Sequence, residues 1–146
     1  MAYCRGMEDD FDFEKVKQGL GGHSGAIGLR HVGHGDDWAE IAIDYDPRLI
    51  MDETTGVMAS GAIISLIDVA CGAAIIARGR GLRPMATLDL RVDYMRAAKP
   101  GRTVTARGTC YRLARSVAFV RCEAHDGDPA DLVAHASGSF IFTTGV

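Results

Sequence analysis

Basic charge, cysteine clusters and long apolar runs are all scarce in this chain, and each shortage removes a class of function. Lys and Arg number 16 against 19 Asp and Glu, a formal net charge of -3 with a pI near 5.9. Nucleic-acid partners ask for a strongly basic face, so none is expected. The four cysteines, Cys4, Cys71, Cys110 and Cys122, form no C-x-x-C pair and no zinc spacing. Isolated cysteines fit a reducing compartment, and the cytoplasm is the default expectation. The opening "MAYCRGMEDDFDFEK" is acidic and has no apolar core of signal-peptide length. No run reaches the ~20 apolar residues of a membrane span. The nearest is "GVMASGAIISLIDVACGAAIIA", Gly56 to Ala77, which carries Asp68 near its middle and reads as a core helix. Histidines suggest no metal centre: His31 and His34 lie three apart on an expected strand and so on opposite faces. His23, His125 and His135 are remote in sequence, without ligand spacing. Repeats, linkers and low-complexity tracts are lacking too.

What remains is a chain of 146 residues, 47% hydrophobic, which suits one domain with a real core over 1–146. Residues 1–10 read as a loose tail. "FDFEKVKQGL" forms a short helix ended by the glycines of "GLGG". "AIGLRHV" and "WAEIAIDY" are strands joined by the turn "GHGDD", and "DPRLIMDETTG" is an irregular connection. The apolar segment is a helix by length and composition. In "TLDLRVDYM", Leu88, Leu90, Val92 and Tyr94 alternate with Thr87, Asp89, Arg91 and Asp93, the period of a strand with one buried face. "TVTARGTCYRL", "SVAFVRCEAH" and "LVAHASGSFIF" follow as strands, with "DGDPAD" turning between the last two. One long helix among six strands gives an α+β fold with a mainly antiparallel sheet wrapped on the helix.

On a helix, Asp68 shares a face with Gly61, Ile64, Ser65, Cys71, Gly72 and Ile75, mostly small residues. The opposite face carries Ile63, Leu66, Ala70 and Ala73, bulky enough to pack on a sheet. Three readings of the acid stand open. Small residues let a second helix or subunit approach, with Asp68 meeting backbone donors. They leave room for a ligand on which Asp68 does chemistry. Or Asp68 meets water at an edge. A carboxylate buried without partners costs several kcal/mol, which argues for some structural or functional return.

From Gly56 to Gly101 the sequence resembles the hotdog-fold thioesterases, in particular the phenylacetyl-CoA (PaaI-type) branch. Gly56, Gly61, Leu66 and Asp68 match its helix pattern, and Thr87, Asp89, Tyr94 and Gly101 match the strand that follows. The pattern's His-Gly-Gly falls on Ala59-Ser60-Gly61, so the histidine is replaced. Ser60 stands where relatives use a glycine N–H to polarise the thioester carbonyl; that N–H survives in any residue but proline. Glu53 stands where relatives carry Asn, and it brings negative charge toward a site that must stabilise an oxyanion.

The resemblance implies a hotdog thioesterase acting on an aryl- or medium-chain acyl-CoA, with no cofactor. Asp68 takes the place of the catalytic carboxylate, as general base or nucleophile, and Thr87 that of the Ser/Thr supporting it. The N–H groups of Ser60 and Gly61 at the helix start suit an oxyanion, and Ser60 is equally placed to cap the helix. Ser65 and Glu53 are candidate substrate contacts. Arg96, Lys99 and Arg115 are candidates for the CoA phosphates, with Arg102, Arg112, Arg78, Arg80 and Arg83 as further options. Donor and carboxylate come from different subunits in this family, so the resemblance also implies a homodimer or homotetramer. The alternative is a hotdog protein that binds acyl-CoA or a related ligand without turning it over, motivated by Ala59 and Glu53.

Overall fold

The structure is a computed structural model that describes residues 20–79, 81 and 83–143. A short helix α1 (Gly22–Ala26) leads into strands β1 (Leu29–His34) and β2 (Trp38–Ile43). A 3-10 turn (Pro47–Leu49) precedes the long helix α2 (Ser60–Gly79). Strands β3 (Met85–Tyr94), β4 (Val104–Leu113), β5 (Val117–His125) and β6 (Leu132–Phe142) complete one six-stranded sheet in the order β1-β2-β4-β5-β6-β3. Every ladder is antiparallel. This is the hotdog arrangement expected from the sequence. The helix expected at "FDFEKVKQGL" falls almost wholly outside the described residues, and α1 begins just after it.

Helix α2 lies mainly across β4 and β2 and partly over β5. The sheet face below it carries mostly small residues at alternate positions: Ala106, Gly108 and Cys110 after Val104 on β4, and Ala118, Cys122 and Ala124 around Val120 on β5. A Cβ added at Gly108 would run into the Ala70 carbonyl and come within 3.0 Å of the Cys71 nitrogen. The glycine is there because the helix backbone rests directly on the strand. Ile63, Leu66, Ile67, Ala70, Cys71, Ala73, Ala74 and Ile75 are the buried side of α2. Cys71 and Ile75, placed with Asp68 by simple helical spacing, belong to the core instead. A helix lying in a curved sheet buries more than half its circumference, so residues flanking the acid's stripe are covered. At 20 residues with mean hydropathy 2.0, α2 is long and apolar enough to cross a membrane, contrary to the expectation from run length. Its buried side faces this sheet.

Three other expectations change. The segment Gly56–Ala59 is not helical: Gly56 takes a positive φ of 64° in a turn, and Met58 bridges back to Ile50. β3 lies at the sheet edge beyond the helix, so its alternation does not bury one face. Leu88 is 55% exposed and Tyr94 43% exposed, while Leu90 and Val92 are only partly covered. In β1 the register slips between His31 and Gly33, an inserted residue that turns the chain by half a repeat. His31 and His34 therefore meet on one side, with Nε2 of His31 3.2 Å from Nδ1 of His34. Among the described residues no group of three or more metal-ligating side chains gathers. The Arg107 guanidinium lies 3.7 Å from the centre of the Trp38 ring, and among the described methionines Met58 is buried, Met85 half-buried, and Met51 and Met95 exposed.

Candidate active site

The chain reaches the start of α2 through a pinned turn. Asp52 accepts hydrogen bonds from the N–H groups of Thr54 and Thr55 and from the Thr55 hydroxyl, each at 2.9 Å. Tyr45 donates to the Gly56 carbonyl at 2.9 Å, and the Ala59 N–H donates to Leu49 at 2.8 Å. Ser60 is then the first helical residue, and the position before it is Ala59, whose side chain has no acceptor. Ser60 is thus not the cap. The N–H groups of Ser60 and Gly61 stand in the first turn, where a helix supplies them no internal acceptor. Space beside Gly61 is open: a Cβ there would meet nothing within 4 Å.

From this end a stripe outside the core runs along α2, through exposed Gly61 and Ile64 and half-buried Ser65, Asp68 and Gly72. Asp68 is partly buried. Its Oδ1 accepts a hydrogen bond from Thr87 Oγ1 at 2.8 Å. Among the described residues no cation pairs with it. Thr87 reaches it because of a bulge in β3: Thr87 pairs with Phe140 and Asp89 with Ser139, leaving Leu88 unpaired between them. Gly138 makes room for the bulge, since a Cβ there would strike the Asp89 carbonyl. The helix carboxylate and the strand hydroxyl, 19 positions apart in sequence, are thereby joined.

Ser65 sits between the two parts of the stripe. Its hydroxyl donates to the Gly61 carbonyl at 3.0 Å and lies 3.1 Å from Nε2 of His23 on α1. With the serine proton used on Gly61, this contact puts the ring proton on Nε2. Sequence reasoning set His23 aside as remote, and no local pattern announces that α1 folds back onto α2. Tyr94, at the far end of β3, donates to the Ser60 carbonyl at 3.0 Å. Burial raises the Tyr94 hydroxyl above its ordinary range, which keeps it a donor.

The charged candidates separate. Arg96 uses all five of its N–H donors within the chain. Nε bonds Asp131 at 3.0 Å, Nη1 bonds Asp126 at 2.8 Å and the Ala97 carbonyl at 3.1 Å, and Nη2 bonds Asp126 at 2.6 Å and the Asp131 carbonyl at 2.9 Å. That leaves nothing for a phosphate and corrects the expectation for Arg96. Lys99 is exposed, and its backbone N–H also bonds Asp126, at 2.8 Å. Arg115 is exposed in the β4–β5 turn. The register puts Arg115 at the Thr87 end of the sheet, since Val117 and Ala86 both face Ile141. Lys99 follows β3 at the opposite, Tyr94 end, roughly 30 Å of strand away. Glu53 is exposed in the turn before α2. Arg78 donates to the Cys110 carbonyl at 2.8 Å and Arg83 stacks on Phe142 at 3.9 Å, while Arg80 lies outside the described residues.

Comparison with known families decides what such a site belongs to. The profile described as the thioesterase superfamily matches residues 55–133, just over half of the chain and all of the segment from the helix approach through β5. The chain belongs to the thioesterase superfamily. Thioester hydrolysis is its enzyme class. A medium/long-chain acyl-CoA thioesterase, YigI of Salmonella typhimurium, is 27% identical over 129 residues, covering 80% of this chain and 82% of the relative. A conserved protein of Pseudomonas aeruginosa is 31% identical with a TM-score of 0.75, covering 84% of this chain and 94% of that one. The phenylacetic acid degradation protein PaaI of Thermus thermophilus is 28% identical with a TM-score of 0.70, covering 82% and 96%. The superfamily is therefore secure, while the phenylacetyl-CoA branch expected from the sequence is not singled out, since the relatives include both YigI and PaaI.

Proposed function

We propose that this thioesterase hydrolyses a medium-chain or aryl acyl-CoA with Asp68 as its base or nucleophile. The observation that carries the reading is the 2.8 Å bond from Thr87 to Asp68. A neutral hydroxyl orients the carboxylate without neutralising it, so its remaining lone pairs stay able to take a proton. As base, Asp68 removes a proton from water while the water oxygen adds to the thioester carbonyl. The resulting oxyanion rests on the N–H groups of Ser60 and Gly61 of the second copy, aided by the positive end of that helix's dipole, since within one chain Gly61 stands seven residues, about 10 Å, along the helix from Asp68. Collapse breaks the C–S bond, the CoA thiolate takes the proton from Asp68, and the acid leaves. As nucleophile, the carboxylate itself adds to the carbonyl, expels the thiolate, and water then opens the mixed anhydride.

Ile64, one turn before Asp68, and Leu88, next to Thr87, are 41% and 55% exposed and suit an apolar acyl chain. The name of the YigI relative, which specifies medium/long-chain acyl-CoA, agrees. Ser65 lines the same stripe, and Arg115, at the Thr87 end, is the better phosphate contact than Lys99. Glu53 stands at the mouth of the helix approach as a substrate contact. A homodimer, or a tetramer of such dimers, completes the site. Among the described residues β3 is an unpaired edge of ten residues, with Leu88 and Tyr94 on it and Met95 just after it exposed, and a second copy laid along it buries them.

The second reading, a binder without turnover, draws on Ala59 in place of the histidine and on the exposed Glu53. A panel of straight-chain and aryl acyl-CoAs with a thiol-trapping reagent separates the two. Thiol release, fastest with medium-length chains, is expected. A ligand-dependent rise in melting temperature without thiol release on any substrate would favour the binder.

A further inference from the structure

We infer that Tyr94 is a positioning residue for catalysis, and that its hydroxyl sets the Ser60–Gly61 peptide so that the Gly61 N–H serves as an oxyanion donor. This rests on the thioesterase reading of the site. The C=O and N–H of one peptide unit share a delocalised bond, so a hydrogen bond accepted at the oxygen polarises the donor at the nitrogen. The Ser60 oxygen receives the Tyr94 hydroxyl at 3.0 Å. The N–H of the same peptide is that of Gly61, which lies in the first turn and has open space beside it. Successive carbonyls in this turn are each held by a side-chain hydroxyl, Ser60 by Tyr94 and Gly61 by Ser65 at 3.0 Å. The two flanking peptides of Gly61 are thus fixed from different directions, one by β3 and one by α2 itself with His23 behind it. Ser60 carries a side chain at the neighbouring donor, whereas Gly61 has none to crowd an approaching carbonyl. Preorganised donors of this kind act on the charge that develops during reaction, not on ground-state binding.

Tyr94→Phe removes only the hydroxyl and keeps the ring that packs at the β3 edge. It is expected to lower kcat by about tenfold with KM nearly unchanged. A structural role would not produce a second signature, the infrared stretch of a bound thioester carbonyl. Octanoyl-CoA isotope-labelled at that carbonyl, bound to Asp68→Asn, is expected to show a band shifted to lower frequency than in water. Adding Tyr94→Phe to Asp68→Asn is expected to return most of that shift. An identical shift in both proteins, or an unchanged kcat in Tyr94→Phe, would overturn the role of Tyr94 while leaving the thioesterase reading intact. Bound octanoyl-CoA with no shift in Asp68→Asn alone would overturn the oxyanion reading of the helix start and the inference with it.

Discussion

Two aspartates of this protein make opposite uses of the same side chain. Asp126 is 6% exposed, and Arg96 grips both of its oxygens while the Lys99 N–H takes a further lone pair. The guanidinium holds its carboxyl well below the usual carboxylate range. Asp68 has a single protein partner among the described residues, the neutral Thr87 hydroxyl, and remains partly open. A carboxylate whose lone pairs are spent on a cation is a poor base, however well ordered. One held by a hydroxyl is oriented and still available. Burial and strong pairing thus mark a structural acid, and the sparse pairing of half-exposed Asp68 is what the proposed catalytic role requires.

The contrast can be broken from the Asp126 side. Asp126→Ala leaves the forked guanidinium without its main partner, and a loss of about 3 kcal/mol of folding stability is expected. Urea unfolding measures it, and activity per folded molecule should stay at the wild-type level. A large loss of turnover in protein shown to be folded would mean that the Arg96 cluster takes part in the site.

Thr87→Val tests the other half of the contrast. It keeps the shape and removes the hydroxyl, so Asp68 loses its orientation but not its charge. A fall in kcat of about tenfold is expected, near 1.4 kcal/mol, with little change in melting temperature. No change in kcat would detach Thr87 from the chemistry.

The smallest expected effect is in acid. Because Arg96 depresses the Asp126 carboxyl in the folded state, its contribution is fully present above the unfolded carboxylate value of about 4 and is lost as the pH falls below it. Melting temperature should therefore drop below about pH 4, and less steeply in Asp126→Asn than in wild type. Equal slopes in the two proteins would assign the acid sensitivity to other groups.

Much of this geometry was legible in the sequence because it rests on period and length. The alternation from "TVTARGTCYRL" to "LVAHASGSFIF" locates β4, β5 and β6 to within a residue or so, and the helix around Asp68 follows from its run of small apolar residues. The meeting of Asp68 and Thr87 was foreseen only through the family resemblance. Features made by a single inserted residue were not legible. The slip in β1 that unites His31 with His34, and the bulge at Leu88, look like ordinary alternation until the partner strand is known. Arg96 and Arg115 are equally plain turn arginines in sequence, and only the fold shows that one is fully occupied. Tyr94 and His23 act on α2 across 34 and 42 residues of chain, a separation no local pattern spans.

The most direct test of the account is the rate of thiol release from a medium-chain acyl-CoA by wild type and Asp68→Asn, with melting temperature recorded on the same samples. Turnover in wild type that falls by at least about a thousandfold in the variant, at unchanged melting temperature, is the predicted result. Full activity in a folded Asp68→Asn protein would contradict the assignment of Asp68 as the working carboxylate.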